Sequence, residues 1–511
     1  MQKKLLFVLL TICINSQVII GQGLNHNWLI GYLNYFDQYS TSEKARMTFD
    51  SNTVSVLPET RKMTFDAAQS NISDENGNLL FATNGQWIAN STGDTMLNGS
   101  GINPGACTNA WSYGLPIVSS SIVLPFPGNS SKFALLHQTC NGSAQYGFMA
   151  SELYFSIIDI TQDSGRGAVI SKNNIIVQDH LNQGITACKH ANGRDWWIVV
   201  LKDSTDSIYN ILLTPQGITS ITTQSLNVYH HNYYNGQPVF SPDGNKFSYH
   251  YVSGNSPNKV HRIRISNFDR CTGVFSNTKS INVTSTEDGL GLAFSPDSKY
   301  LYFSSFHELF QLNTDTSNIL ASKQVVAIND TFYSPFSPFQ TNFWLMYLAA
   351  NGKIYLSSGN SVLHMHYINY PDSGGTACNV QQHAIHLPCW YFRGNVNHPN
   401  YYLGPVIGSV CDSLVHVGVN EYDGHDFHFS LSPNPITAGY MKIVYLLPQN
   451  KSGLLEVFDI NGRVVYKMPL PPWSTLQQVK LPQLANGIYN AVITSGEQRK
   501  GTKIAITDLI D

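Results

Sequence analysis

Charge is scarce in this chain: 30 basic and 33 acidic residues among 511, 12% in all, for a net charge of −3. So balanced a set builds no basic face for nucleic acid or an anionic membrane, so no nucleic-acid partner is expected. Long apolar runs are missing too. Beyond the first 20 residues nothing approaches the ~20 apolar residues of a spanning helix, so no transmembrane segment is expected. There is no His-Glu-x-x-His, no paired Cys-x-x-Cys, no Gly-x-Ser-x-Gly elbow and no dense acidic constellation. The local signatures of zinc proteases, zinc ribbons and serine hydrolases are therefore absent. The low charge also excludes coiled coils and helical repeats, while 42% hydrophobic residues exclude a disordered chain.

Turn and strand formers are abundant. The 39 Gly, 23 Pro, 27 Tyr and 25 Phe, with frequent Asn, Ser and Thr, favour β-strands joined by tight turns. The N-terminus reads Lys3-Lys4 followed by an apolar run from Leu5 to Ile14. A basic start and an apolar stretch of this length predict a signal peptide over residues 1–22. Lipidation at Cys13 is disfavoured because bulky Ile12 stands where a small residue is needed. Seven further cysteines remain: Cys107, Cys140, Cys188, Cys271, Cys378, Cys389 and Cys411. Export predicts disulfides, and an odd count leaves at least one thiol unpaired. Cys107 with Cys140, and Cys378 with Cys389, are the nearest pairs in sequence, but sequence alone does not settle connectivity. Asn-x-Ser/Thr triplets at Asn71, Asn90, Asn98, Asn129, Asn141, Asn282 and Asn329 are as frequent as this composition produces by chance.

Six segments repeat one pattern: an apolar stretch, a polar turn, then a β-prone strand. The turns lie at Asn76, Gly128, Asn192, Asp243, Asp297 and Asn351. Their spacing is (351 − 76)/5 = 55 residues on average, and Asn-Gly or Asp-Gly closes most of them. A period near 50 with several strands per unit predicts a β-propeller. The stretch from Asn25 to Cys411 accommodates seven blades. With six repeats visible, the seventh is expected to be split, a strand from Trp28 to Phe36 completing a blade begun between Tyr355 and Cys411. One or two β-sandwiches with similar turns are the alternative.

After Cys411 a polar linker, 412–426, precedes a different text. It contains Leu431-Ser-Pro-Asn-Pro435, Leu454-Leu-Glu-Val-Phe-Asp-Ile-Asn-Gly-Arg-Val-Val-Tyr-Lys467 and Leu484-Ala-Asn-Gly-Ile-Tyr489. Short strands around Asn461-Gly462 and Asn486-Gly487 predict a small Ig-like sandwich of about seven strands over 427–511. Pro433, Asn434 and Pro435, the hairpin Asp459-x-Asn-Gly462-Arg463, Gly487-x-Tyr489 and the late Lys503 resemble the type A C-terminal sorting domain of type IX secretion substrates. The resemblance implies export by the signal peptide, passage through the type IX machinery as partner, and release or attachment at the outer cell surface. Residues 507–511 extend beyond the usual end of that domain.

The preceding region, 23–411, resembles the propeller of gliding-associated bacterial surface proteins. The matching residues are Trp28-x-x-Gly31, Ser73-Asp-x-x-Gly-Asn-Leu-Leu-Phe81, Met96-x-Asn-Gly99, Pro125-x-Pro-Gly128, Ser241-Pro-Asp-Gly244, Phe294 to Tyr302 and Leu403-Gly-Pro-x-x-Gly-Ser-x-Cys-Asp412. Ala82-Thr-Asn-Gly85 departs from that pattern, where an aromatic usually follows.

Candidate chemistry is sparse. His364-Met365-His366 places two imidazoles on one strand face, with His383, His386, Cys378 and Cys389 following, a zinc-like composition more simply read as packing. Asp74 to Asn78 offers alternating oxygens, but it coincides with a repeated turn and lacks a distal glutamate. Asp423-Gly-His-Asp426 reads as linker. Trp196-Trp197, Tyr229 to Tyr234 and Phe332 to Phe339 are aromatic clusters that pack between blades or stack on sugars. In one strand Trp196 and Trp197 point to opposite faces, so both are expected to be buried between neighbouring blades.

The sequence thus predicts an all-β protein, a seven-bladed β-propeller followed by an Ig-like sorting sandwich, exported and acting as a binding or scaffold module. No cofactor, metal or catalytic residue is assigned, and the ligand, glycan or protein, is left open. The rival is a secreted hydrolase or lyase acting on polysaccharide or peptide at the propeller channel.

Overall fold

The computed structural model describes residues 23–32, 44–49, 54–141, 149–230, 235–335, 337–394, 396–412, 427–436, 439–448, 451–472 and 476–507. Residues 1–22, expected to be a signal peptide, the expected linker 412–426 apart from Asp412, and most of Tyr229–Tyr234 lie outside them. No helix among the described residues is long and apolar enough to cross a membrane.

Strands follow one another as up-and-down meanders. A three-stranded sheet (Asn27–Ile30, Ala45–Phe49, Val54–Pro58) comes first. An eight-stranded sheet follows, made of two four-stranded meanders over 70–100 and 121–181 whose outer strands pair in parallel at Leu97 and Ala168. Four further four-stranded sheets then run from Thr186 to His230, Asn235 to Ser285, Leu292 to Ile328 and Met346 to Tyr391.

Each of the six repeated turns joins the first and second strands of one meander. They link Ser73 to Leu79, Pro125 to Lys132, Lys189 to Trp196, Phe240 to Lys246, Phe294 to Tyr300 and Leu348 to Ile354. The polar residue before the glycine satisfies the turn itself. Asp74 Oδ1 accepts the Asn76 and Asn78 amides at 2.9 and 2.8 Å, and Asn192 Oδ1 those of Arg194 and Asp195 at 3.0 and 2.9 Å. Gly244, at φ +74°, shows why glycine follows: a Cβ there would meet Leu403, Arg270 and Cys188 within 2.6–2.9 Å.

The hydrophobic residues lie between meanders, and every neighbouring pair shares a core. Phe81, Phe133 and Trp196 join the 70–100, 121–181 and 186–230 meanders; Trp197 and Phe247 join the next pair. Ile263 and Phe303 join the next, then Tyr302 and Ile354. Trp28, Met47 and Phe49 of the first sheet pack on Tyr355, Met365 and Leu387 of the last, so the two chain ends of this region meet. First strands of most successive meanders lie side by side. The fold is propeller-like.

Among the described residues the expected split unit is not seen. Asn27–Ile30 pairs with Ala45–Phe49 inside its own sheet, and Met346–Tyr391 supplies four strands unaided, while residues 33–36 of the expected strand lie outside the described residues. The first sheet escaped the repeat count because its first two strands are joined through residues 31–44, without an Asn-Gly or Asp-Gly turn.

The tail forms two sheets around one core. His428–Ser432, Tyr440–Leu446 and Leu476–Lys480 make one; Val464–Leu470, Gly453–Phe458, Gly487–Ser495 and Gln498–Ile506 make the other. Ile443, Val457, Met468, Val479, Ile493 and Ile504 are buried between them. Each such side chain contributes about 1.5–3 kcal/mol of burial free energy.

Candidate functional site

The propeller-like axis is occupied by the chain itself. After the last strand of this region ends at Tyr391, the polypeptide crosses from one meander to the next, bonding to several of them. The Asn397 amide hydrogens reach the carbonyls of Ser119 (3.3 Å), Ser121 (3.0 Å) and Ile185 (2.9 Å). His398 Nε2 donates to the Asn71 carbonyl at 2.7 Å, Asn400 Nδ2 to that of Pro242 at 2.7 Å, and the Tyr401 hydroxyl to that of Val123 at 2.9 Å. Arg270 donates to the Gly404 carbonyl at 2.6 Å, and Cys411 is disulfide-bonded to Cys271. First strands of open meanders expose carbonyls toward the axis, and this segment satisfies them with side-chain donors.

The segment leaves a cavity of about 100 Å³ beside it. Its wall is Asn25, Trp28, Thr186–Cys188, Pro238–Pro242, Leu292–Phe294 and Met346–Leu348, with Val396–Asn400 and Leu403 from the crossing segment. Among the described residues no Asp, Glu, Lys or Arg lines it. Burial pulls His398 down to about 4, so its imidazole is neutral at pH 7. Burial also pushes the Cys188 thiol up to about 12, against the attraction of Arg270, which leaves it protonated and unreactive.

The histidines around residue 364 contact one another and Phe332. His364 Nδ1 lies 2.9 Å from the Ser334 hydroxyl, and the His383 amide donates to His366 Nδ1 at 2.9 Å. His383 Nε2 meets Asp330 at 2.9 Å and stacks on Phe332 at 3.9 Å. Burial and the neighbouring His386 and His383 pull His364 down to about 4. Among the described residues no set of three or more His, Cys, Asp or Glu is disposed to hold a metal.

Cys107 and Cys140, a nearest pair in sequence, are bonded, whereas Cys378 and Cys389 are not. Three buried thiols, Cys188, Cys378 and Cys389, remain free. Asn71, Asn90 and Asn329 are buried, so these three glycosylation triplets are closed to modification in the folded chain. Tyr333 and Phe339 are 53% and 46% exposed, the part of the Phe332–Phe339 cluster that faces solvent. A carboxyl pair lies in two turns: burial and Asp297 push Asp372 up to about 7. Neither residue reaches the axial cavity.

The predicted sorting residues gather on the tail's hairpins and edge. Asp459 Oδ1 accepts the Asn461 and Arg463 amides, both at 2.9 Å, its Oδ2 meets Arg463 Nε at 2.9 Å, and Gly462 takes φ +76°. Asn434, between Pro433 and Pro435, donates to the Lys503 carbonyl at 3.1 Å and accepts the Ala505 amide at 2.9 Å. Tyr489, paired with Ile504, donates to the Ala485 carbonyl at 2.8 Å, and Gly487 pairs with Ile506. These motifs lock the last strand into the sandwich.

The tail matches a known domain family. The secretion system C-terminal sorting domain matches residues 430–507. The chain therefore carries the address of a secreted or outer-surface protein, and the secretion machinery is its partner. No curated protein matches the chain.

Solved structures resemble it at low identity. A candidate 6-phosphogluconolactonase from Bacteroides uniformis shares 12% identity, covering 89% of this chain and 99% of its own, with a TM-score of 0.35. The extracellular domain of a candidate hybrid two-component system from B. thetaiotaomicron shares 9%, covering 94% and 57%, with a TM-score of 0.37. A candidate TolB from Agrobacterium tumefaciens shares 12%, covering 73% and 93%, with a TM-score of 0.26.

Sequence reasoning missed the axial segment. Its Asn, Gly and Pro content imitates a linker, and its partners lie up to 377 residues away. The clue was a run of amides and tyrosines, Asn395 to Tyr402, too rich in donors for an idle connection.

Proposed function

We propose that this chain is an extracellular or outer-surface binding or scaffold protein. In this reading residues 23–411 are a seven-bladed β-propeller, each meander being one blade. Residues 1–22 direct it to the periplasm, and an Ig-like sandwich over 427–511 presents it to the type IX machinery. The sorting residues are Pro433, Asn434, Pro435, Asp459, Gly462, Arg463, Gly487, Tyr489 and Lys503.

The observation that carries the binding reading is the filled axis. Propeller hydrolases need convergent acids or a nucleophile with its base, whereas this axis holds the chain's own backbone and a cavity wall without a carboxylate. That weighs against the hydrolase or lyase alternative at the channel. The outer face keeps exposed Tyr333 and Phe339, which suit stacking on a sugar or contact with a protein.

The test is a glycan- and peptide-array screen of the purified secreted protein with mass spectrometry of the products. Retained, uncleaved ligands support binding; cleaved products overturn it.

A further inference from the structure

We propose that the axial cavity is a binding site for an uncharged, ring-sized molecule carrying one hydroxyl donor, a phenol-class ligand. This goes beyond the outer-surface reading, because it concerns a different place and stands whether or not the arrays find a partner.

The size and wall set the class. A cavity of about 100 Å³ exceeds the ~10–15 Å³ one water needs and matches a small ring rather than a sugar chain. Trp28, Phe240, Phe294, Met346 and Leu403 supply apolar and aromatic surface on several sides. With no charged side chain on the wall, a carboxylate or ammonium ligand would be desolvated without a counter-charge.

The polar requirement comes from one atom. His398 donates through Nε2 to the Asn71 carbonyl, which can only accept, so its proton sits on Nε2. Its Nδ1 is then a bare acceptor, and that atom is buried without a hydrogen-bond partner. Such an unmade bond is unfavourable and is repaired by a ligand that donates. A neutral hydroxyl on a flat apolar ring meets both demands.

The test uses the full secreted chain and ¹⁹F NMR of 4-fluorophenol, with fluorobenzene and 4-fluorobenzoate as comparisons. Expected is binding of the phenol at least tenfold tighter than fluorobenzene, with no binding of the benzoate. His398→Phe should remove that preference, and Ala293→Phe, which fills the wall between Leu292 and Phe294, should abolish binding of both neutral rings. If His398→Phe fails to fold, the phenol-to-fluorobenzene ratio on the unaltered chain and the Ala293→Phe result still decide. Equal affinity for phenol and fluorobenzene, binding that survives Ala293→Phe, or no binding at all overturns the proposal.

Discussion

Trp196 and Trp197 are adjacent in one strand, yet each bonds to a different neighbouring meander. Trp196 Nε1 donates to the Pro125 carbonyl at 3.1 Å on one side, and Trp197 Nε1 to the Arg270 carbonyl at 2.8 Å on the other. Both are buried, 0% and 7% exposed. Alternation along a strand sends consecutive side chains to opposite faces, and here both faces are interior. Trp196→Ala should therefore destabilise the chain by about 3–5 kcal/mol through a cavity and an orphaned carbonyl. Denaturant titration measures this, and Trp197→Ala should cost a similar amount.

Asn397 concentrates three contacts in one amide. Replacing it with Asp exchanges two donors for acceptors facing the Ser119, Ser121 and Ile185 carbonyls, a buried repulsion. Asn397→Asp should lower the melting temperature more than Asn397→Ala, which loses the bonds alone at about 1–3 kcal/mol. Equal melting temperatures for the two variants would contradict the role of this side chain as donor.

The Cys271–Cys411 bridge fastens the end of the axial segment across 140 residues of sequence. Cys411→Ser should cost about 2–4 kcal/mol, by releasing a long closed loop in the unfolded chain. Cys378→Ser, at a free buried thiol, should cost less. Thermal melts with and without reductant compare them; reductant should lower the melting temperature of the unaltered chain and of Cys378→Ser.

Acid should weaken the fold through buried neutral histidines. Burial pulls His137 to about 3 and His261 to about 4, beside His398 at about 4. Each folded value lies below the ordinary 6.5, so the unfolded chain takes up the proton first. Stability is full above pH 6.5 and falls as pH drops toward 4, by roughly 3 kcal/mol per fully buried histidine. Asp66 works the other way: burial raises it to about 6, so stability is gained as pH falls from 6 to the ordinary carboxylate range. With His26, His364 and His366 lowered in the same way, the histidines outnumber the raised carboxyls Asp66 and Asp372 and leave a net loss, read as a lower melting temperature at pH 4.5 than at pH 7.

Removing residues from Leu431 onward deletes the matched sorting domain. The truncated chain should accumulate in the periplasm, as cell fractionation and immunoblotting would show. Unchanged release into the medium would contradict the sorting role.

What the sequence determined by itself is local. A polar residue before glycine closes a hairpin through its own side chain and a positive φ, as at Asp74, Asn192 and Asp459, so six first-to-second strand turns and the tail's hairpins could be read directly. Alternation made the burial of Trp196 and Trp197 readable as well. Tertiary structure alone decided the rest. The first sheet carries no such turn, and its place beside the last sheet rests on Trp28 and Phe49 meeting Tyr355 through rings 5.7 and 5.1 Å apart. The pairing of Cys271 with Cys411, and the free state of Cys378 and Cys389, depend on where meanders bring them. The axial segment is the clearest case. Asn397, His398 and Tyr401 look like linker residues until the meanders close around them, because their partners are backbone carbonyls, which leave no mark on a sequence.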